Sequence, residues 1–291
     1  MGVLVRRDSR ILVQGITGRE GRFHTARMLA YGSQVVAGVT PGKGGLTVEG
    51  VPVFETVSEA RAQTHADVSV VFVPAPHAAD AVAEAAAAGL SLVICITEGV
   101  PILDTVRVVA WCRQHGTRLI GPNCPGIIVP GQTLAGILPG EMFRPGPVAV
   151  LSRSGTLAYE VAAALGDEGL GQSTCIGVGG DPVIGTRFTD LLPLVAADPA
   201  TEAIVLIGEI GGQDENEAAA MLPALGRPVF ALLAGTAAPA GKRMGHAGAI
   251  ISRPQETVSA KTAALRAAGA TVCSSPEELA QAVAARLRVT S

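Results

Sequence analysis

A chain of 291 residues has room for one or two domains, and 48% hydrophobic with 16% charged residues supports a sizeable core. A formal net charge of -3 gives no global field that would draw in nucleic acid or a membrane surface. Aromatic residues make up 3%, too few for the stacking platforms that hold single strands.

Ile11 to Val13 is a short apolar run that ends in Gln14-Gly15-Ile16-Thr17-Gly18-Arg19-Glu20-Gly21, and a helix is expected from about Arg22 to Tyr31, closed by Gly32. Strand, glycine turn and helix together form a unit in which backbone N–H groups and the helix dipole face an anion. The G-x-x-G-x-x-G spacing is one residue looser than the dinucleotide fingerprint, and a tight turn without a ligand looks the same. Val35 to Val39 is the second strand, entering Thr40-Pro41-Gly42-Lys43-Gly44-Gly45. A dinucleotide dehydrogenase would place an acid near the end of this strand. No Asp or Glu occurs between Glu20 and Glu49, and Lys43 suits a phosphate better.

Val68 to Val73 reads as a strand buried on both faces, ended by Pro74-Ala75-Pro76. A helix from Ala79 to Ala88, a strand from Leu92 to Ile96, a helix from Leu103 to Gln114 and a strand from Arg118 to Ile120 follow. Alternating βα units of this kind predict a doubly wound parallel sheet. Ile127 to Pro147 is rich in Gly and Pro, and we read it as a connection between two domains.

The βα rhythm restarts with Val148 to Leu151, the turn Ser152-Arg153-Ser154-Gly155-Thr156 and a helix from Leu157 to Leu165, for which Ser154 is the expected N-cap. Strands follow at Gln172 to Val178, Ile204 to Ile207 and Pro228 to Leu233. Lys261 to Arg288 has helical spacing and a structural character. The expected fold is therefore α/β with domains at 1–126 and 148–291, joined by 127–147.

The segment Gly241-Lys242-Arg243-Met244-Gly245-His246-Ala247-Gly248-Ala249-Ile250 sets one His between glycines, next to two cations. An open imidazole beside an anion site is suited to attack on a phosphoryl or acyl group. A solvated loop His has the same local pattern. Ligand groups gather beyond the carboxyl ends of parallel strands, where Ser154, Glu209 and His246 are all expected. A carboxylate there can hold one ring nitrogen and leave the other free to react.

The start from Met1 to Arg10 lacks the apolar centre of a signal peptide. The longest apolar candidate, Ala85 to Thr97, is shorter than the ~20 residues of a membrane span. Cys95, Cys112, Cys124, Cys175 and Cys273 form no C-x-x-C pair, so neither a disulfide framework nor a metal site is expected, and the default setting is the cytoplasm.

The stretches QGITGREGRFHTARMLAYG, VAGVTPGKGG, VPAP, ITEGVP, GPNCPG, LSRSGTLAYE, GVGGDP, IGEIGG and KRMGHAGAI occur in this order along nearly the whole chain. In them the sequence resembles the α subunits of the succinyl-CoA synthetase (succinate–CoA ligase) family. The resemblance implies a Rossmann-like N-terminal domain that binds coenzyme A, followed by a flavodoxin-like domain whose histidine, here His246, is transiently phosphorylated. It implies CoA contacts at Thr17, Gly18, Arg19, Glu20, Lys43, Ile96, Thr97 and Glu98. Glu209 would orient the histidine, Tyr159 would lie on the substrate side, and Ser154, Gly155 and Thr156 would cradle the phosphoryl group. Cys124 would lie near the CoA thiol without acting as a nucleophile.

The chemistry implied is a relay. Phosphate attacks an acyl-CoA, the histidine takes the phosphoryl group from the acyl phosphate, and a nucleoside diphosphate takes it from the histidine. Mg²⁺ and ADP/ATP or GDP/GTP would sit on an ATP-grasp β subunit, in a heterodimer or heterotetramer. The chain has no G-x-x-x-x-G-K-[ST] motif, in keeping with half an enzyme. After Ile250 the family usually carries a glycine-rich turn, whereas here the segment is Ser252-Arg253-Pro254-Gln255-Glu256-Thr257-Val258-Ser259. That departure bears on the acid accepted and on loop stiffness. A ligase for another dicarboxylic acid such as malate, or a CoA-binding paralogue without turnover, shares these motifs.

Overall fold

The computed structural model describes residues 2–236 and 243–288. The first half runs β1 (Arg10–Gln14), α1 (Arg19–Tyr31), β2 (Gln34–Val39), β3 (Thr47–Val48), β4 (Val51–Phe54), α2 (Val57–Thr64), β5 (Val68–Val71), α3 (Ala75–Ala87), β6 (Leu92–Cys95), α4 (Ile102–Gln114) and β7 (Arg118–Ile120). Its sheet has the order β3-β4-β2-β1-β5-β6-β7, parallel from β4 to β7, with β3 turned back on β4. From β4 to β7 this is the Rossmann winding, and its order reverses between β1 and β5. The inner strands β5 and β6 are buried at every position, as strands covered on both faces must be.

The second half runs β8 (Gly126–Val129), β9 (Thr133–Gly136), β10 (Pro145–Ser152), α5 (Gly155–Asp167), β11 (Gln172–Gly177), α6 (Phe188–Ala197), β12 (Ala203–Glu209), α7 (Asp214–Ala219), β13 (Val229–Ala234), α8 (Val258–Ala267), β14 (Thr271–Cys273) and α9 (Pro276–Arg288). The sheet order is β14-β13-β12-β10-β11-β8-β9. The five strands from β14 to β11 are parallel, in the flavodoxin winding, and β8 and β9 add antiparallel strands at one edge. Here the order reverses between β10 and β12.

Several boundaries differ from the sequence reading. The stretch 127–147 is not a bare connection: β8 and β9 belong to the second sheet, with Ile127 and Ile128 paired to Ile176 and Cys175. They are also tied to the first half, because the Ser33 hydroxyl donates to the Leu134 carbonyl and accepts its N–H, both at 2.8 Å. Helix α1 begins at Arg19 rather than Arg22, and α3 begins at Ala75, where Pro76 occupies the first turn and sacrifices no intrahelical bond. The C-terminal segment is two helices with a strand between them, since Gly269 at φ 92 turns the chain out of α8 and into β14.

Candidate active site

Both sheets end toward the same region. The loop 121–126 links them there: the Asn123 N–H donates to the Thr97 carbonyl (3.0 Å), and the Asn123 carbonyl accepts the Gly180 N–H (3.0 Å). The Asn123 amide also donates to Asp181 (3.0 Å), whose carboxyl burial holds above the ordinary range.

On the first sheet, Thr17, Gly18, Arg19 and Glu20 follow β1 at the point where the strand order reverses. Gly18 caps α1 with no side-chain bond, so the helix start stays open to an external anion. Thr17 Oγ1 donates to Thr40 Oγ1 (3.2 Å), joining this turn to the loop that follows β2. That loop carries the exposed Lys43, and the Glu55 carboxylate accepts the N–H groups of Gly42 (2.6 Å) and Gly44 (2.7 Å) on either side of it. Ile96, Thr97 and Glu98 follow β6, and Thr97 Oγ1 donates to the Val73 carbonyl (2.6 Å). The eight residues expected to contact CoA thus share the carboxyl edge of one parallel sheet. Cys124 is buried, its thiol donates to the Cys95 carbonyl (3.2 Å), and desolvation pushes its pKa up, which leaves it a poor nucleophile.

On the second sheet, Ser154 follows β10 and Glu209 is the last residue of β12, so they flank the position where that order reverses. Ser154 Oγ accepts the Leu157 N–H and caps α5, as expected, so Gly155 and Thr156 form the helix start. Tyr159 lies further along α5, half-buried against the core.

Glu209 Oε2 is 2.7 Å from His246 Nδ1, while Oε1 accepts from Arg153 Nε at 3.1 Å. Both Arg153 and Glu209 are buried, and His246 is half-buried. The hydrogen bond that Nδ1 donates to Glu209 raises the His246 pKa above the ordinary histidine value, against the opposing pull of burial. Glu98, which follows β6, adds the smallest push in the same upward direction. The ring packs on Gly180, where a Cβ would stand 2.4 Å from its Cγ, and no other residue type leaves room. Gly241 and Lys242, expected beside the histidine, lie outside the described residues. Arg243 is exposed.

Arg153 and Gly180 were not singled out from sequence as site residues. The signal for Arg153 was its place in the Ser152 to Thr156 turn, one residue past β10. Among the described residues no helix is long and apolar enough to cross a membrane, and no group of three or more His, Cys, Asp or Glu could hold a metal ion.

Comparison with known proteins gives two family matches, a CoA binding domain over residues 6–99 and a CoA-ligase over residues 151–271. The chain is 52% identical, over 99% of its length and 96% of the relative, to a succinate–CoA ligase [ADP-forming] subunit alpha from Aquifex aeolicus. It is 53% identical, over 98% of its length and 99% of the relative, to a succinate–CoA ligase [ADP-forming] subunit alpha 2 from Archaeoglobus fulgidus. Among solved structures, ATP citrate lyase from Methanothrix soehngenii, in complex with citrate and coenzyme A, superimposes with a TM-score of 0.91 at 26% identity. The match covers 99% of this chain and 51% of the lyase, so the chain spans about half the length of that protein.

Proposed function

The chain belongs to the family of succinate–CoA ligase α subunits, and from that premise we propose that it joins coenzyme A to a dicarboxylic acid, succinate first, through a phosphoryl relay on His246. The observation that carries this reading is the Glu209–His246 pair at 2.7 Å, tied through Arg153 to the turn that starts α5. With Nδ1 engaged by Glu209, Nε2 is the ring atom left to react. In the acid-releasing direction Nε2 attacks the phosphorus of an acyl phosphate, the N–P bond forms, the P–O bond to the acyl group breaks, and the carboxylate leaves. Glu209 keeps the Nδ1 proton in place, so the ring presents a lone pair at Nε2 and its developing positive charge is balanced. Gly155 and Thr156 at the helix start offer N–H groups and the positive end of the dipole to the phosphoryl oxygens. Thr17 to Glu20, Lys43 and Ile96 to Glu98 hold CoA, so that its thiol reaches the acyl group from the first sheet.

The α-subunit naming of the relatives supports a partner, and we assign that partner the ATP-grasp fold, the nucleotide (ADP/ATP or GDP/GTP) and Mg²⁺. A second reading, a ligase for another dicarboxylic acid such as malate, is favoured by one observation. Glu256, in the departing segment, accepts the N–H groups of Ser252 (2.7 Å) and Arg253 (3.1 Å) and fixes a turn where the family resemblance implies a glycine-rich one. The test of the relay is phosphorylation of the αβ complex by γ-labelled ATP or GTP. Label on this chain, stable in base, labile in acid and absent from His246→Ala, is the expected result. Acid-stable label, or label that survives His246→Ala, overturns it.

A further inference from the structure

Lys261 lies in α8, fifteen residues beyond His246, in a segment whose sequence looks purely structural. Its side chain is fully buried, as is that of Glu215. A buried lysine must find partners for its charge and for three N–H groups. Lys261 Nζ finds three: the Glu209 carbonyl (2.7 Å), the Gly211 carbonyl (2.5 Å) and the Glu215 carboxylate. The other Glu215 oxygen, Oε1, accepts the Glu209 N–H at 3.1 Å. The N–H and the carbonyl of Glu209 are therefore both held by one buried ion pair. The turn before α8 adds a further tie, because the Glu256 carbonyl accepts the Gly211 N–H at 3.0 Å. A sheet ladder alone does not supply this clamp: β12 ends at Glu209, and the chain leaves the sheet at Ile210.

We infer that Lys261, together with Glu215, is the positioning residue of the phosphoryl-accepting histidine: it pins the backbone of Glu209 so that the carboxylate meets His246 Nδ1 and Nε2 faces the reacting phosphorus. The inference rests on the proposed role of His246. The ion pair's hydrogen bonds go to Glu209 and Gly211 and not to the ring, so it acts through the backbone of Glu209. Its charge is spent on fixed carbonyls and a carboxylate, which suits orientation and not proton transfer. An ammonium is also the compact cation that two carbonyls and a carboxylate can surround without solvent.

The test uses the αβ complex with ¹⁵N-labelled histidine in this chain. In the wild type, His246 should be the Nδ1–H tautomer when neutral. In Lys261→Met, and in Lys261→Met/Glu215→Gln, which removes both buried charges and so guards against simple unfolding, the ring should relax to a mixture with the Nε2–H form. The rate of His246 phosphorylation should fall about 100-fold, the usual cost of a small misplacement, while CoA affinity and the KM for nucleotide stay at wild-type values. A folded double variant with the wild-type tautomer and rate overturns the inference. A wild-type complex that takes no label on His246 overturns the relay itself, and the tautomer measurement still reports on the clamp in that case.

Discussion

At the scale of single residues, the charge on Glu209 sets the pH at which His246 can react. The hydrogen bond donated to Glu209 raises the histidine pKa, while burial and Arg153 lower it. The attacking ring must be neutral, so phosphoryl acceptance should rise with pH through a value above that of an ordinary histidine. The pair also contributes stability that is complete below the ordinary value and lost as pH rises through the raised one. In Glu209→Gln both raising influences of Glu209 go, and only Glu98 is left to oppose burial and Arg153. The rising limb should move to lower pH while the plateau rate falls by roughly 10²–10⁴-fold. Rapid-quench phosphorylation across the neutral range reads both effects, and an unmoved limb would show that Glu209 does not set the pKa. Glu209 and Ser154 were legible in the sequence because each follows an apolar run, where a parallel sheet collects ligands, and His246 because glycines frame it beside two cations. Arg153 and Lys261 were not, since their partners lie 56 and 52 residues away and a lysine's burial leaves no mark in its own sequence window.

Among the elements, the segment after His246 departs from the glycine-rich turn that the family resemblance implies. Pro254–Glu256 forms a single 3₁₀ turn, and Thr257 then caps α8 by accepting the Ala260 N–H. The Glu256 carboxylate closes the turn on Ser252 and Arg253, so the stiffness expected from Pro254 and the β-branched residues has a concrete origin. Replacing Arg253 to Glu256 by a glycine-rich turn removes a buried, charge-assisted interaction. It should lower stability by about 1.5–3 kcal/mol and change the order in which succinate and malate are accepted. Thermal unfolding and acid-dependent turnover of the complex measure the two separately. A destabilised graft with an unchanged acid profile would leave the turn a purely structural role. The element-level reading failed where periodicity is weakest. β8 and β9 are four-residue strands bounded by Gly126, Gly131 and Gly136, all at positive φ, and they look like loop until β11 pairs with them. The start of α1 was missed because Arg19 to Glu20 is polar and carries no apolar stripe.

At the scale of the molecule, the two halves are locked into one unit around the site. Thr97, Asn123 and Gly180 form a hydrogen-bonded path from the CoA side to the histidine, and the larger core cluster draws side chains from both sheets. Several large apolar side chains near these site residues in the chain are exposed. Ile102 and Leu103, a few residues past Glu98, are 55% and 69% exposed, and Met244 and Ile250, on either side of His246, are 42% and 37% exposed. Large side chains left in water around a reaction centre mark a surface that a partner covers, and each leucine so buried is worth about 1.5–3 kcal/mol. The partner proposed above would dry the proposed phosphoryl site and supply the nucleotide in one step, which would account for His246 being only half-buried in the single chain. The purified chain should therefore bind CoA yet show no nucleotide-dependent turnover, and co-expression with the β subunit should restore turnover. Leu103→Glu, which places a charge on that surface far from the core, should raise the subunit dissociation constant by at least roughly tenfold, about 1.4 kcal/mol. Sedimentation of the mixed subunits measures it, with CoA titration as the control that the first domain is intact. Turnover by the single chain would overturn the need for a partner, and an assembly indifferent to Leu103→Glu would place the partner on another face.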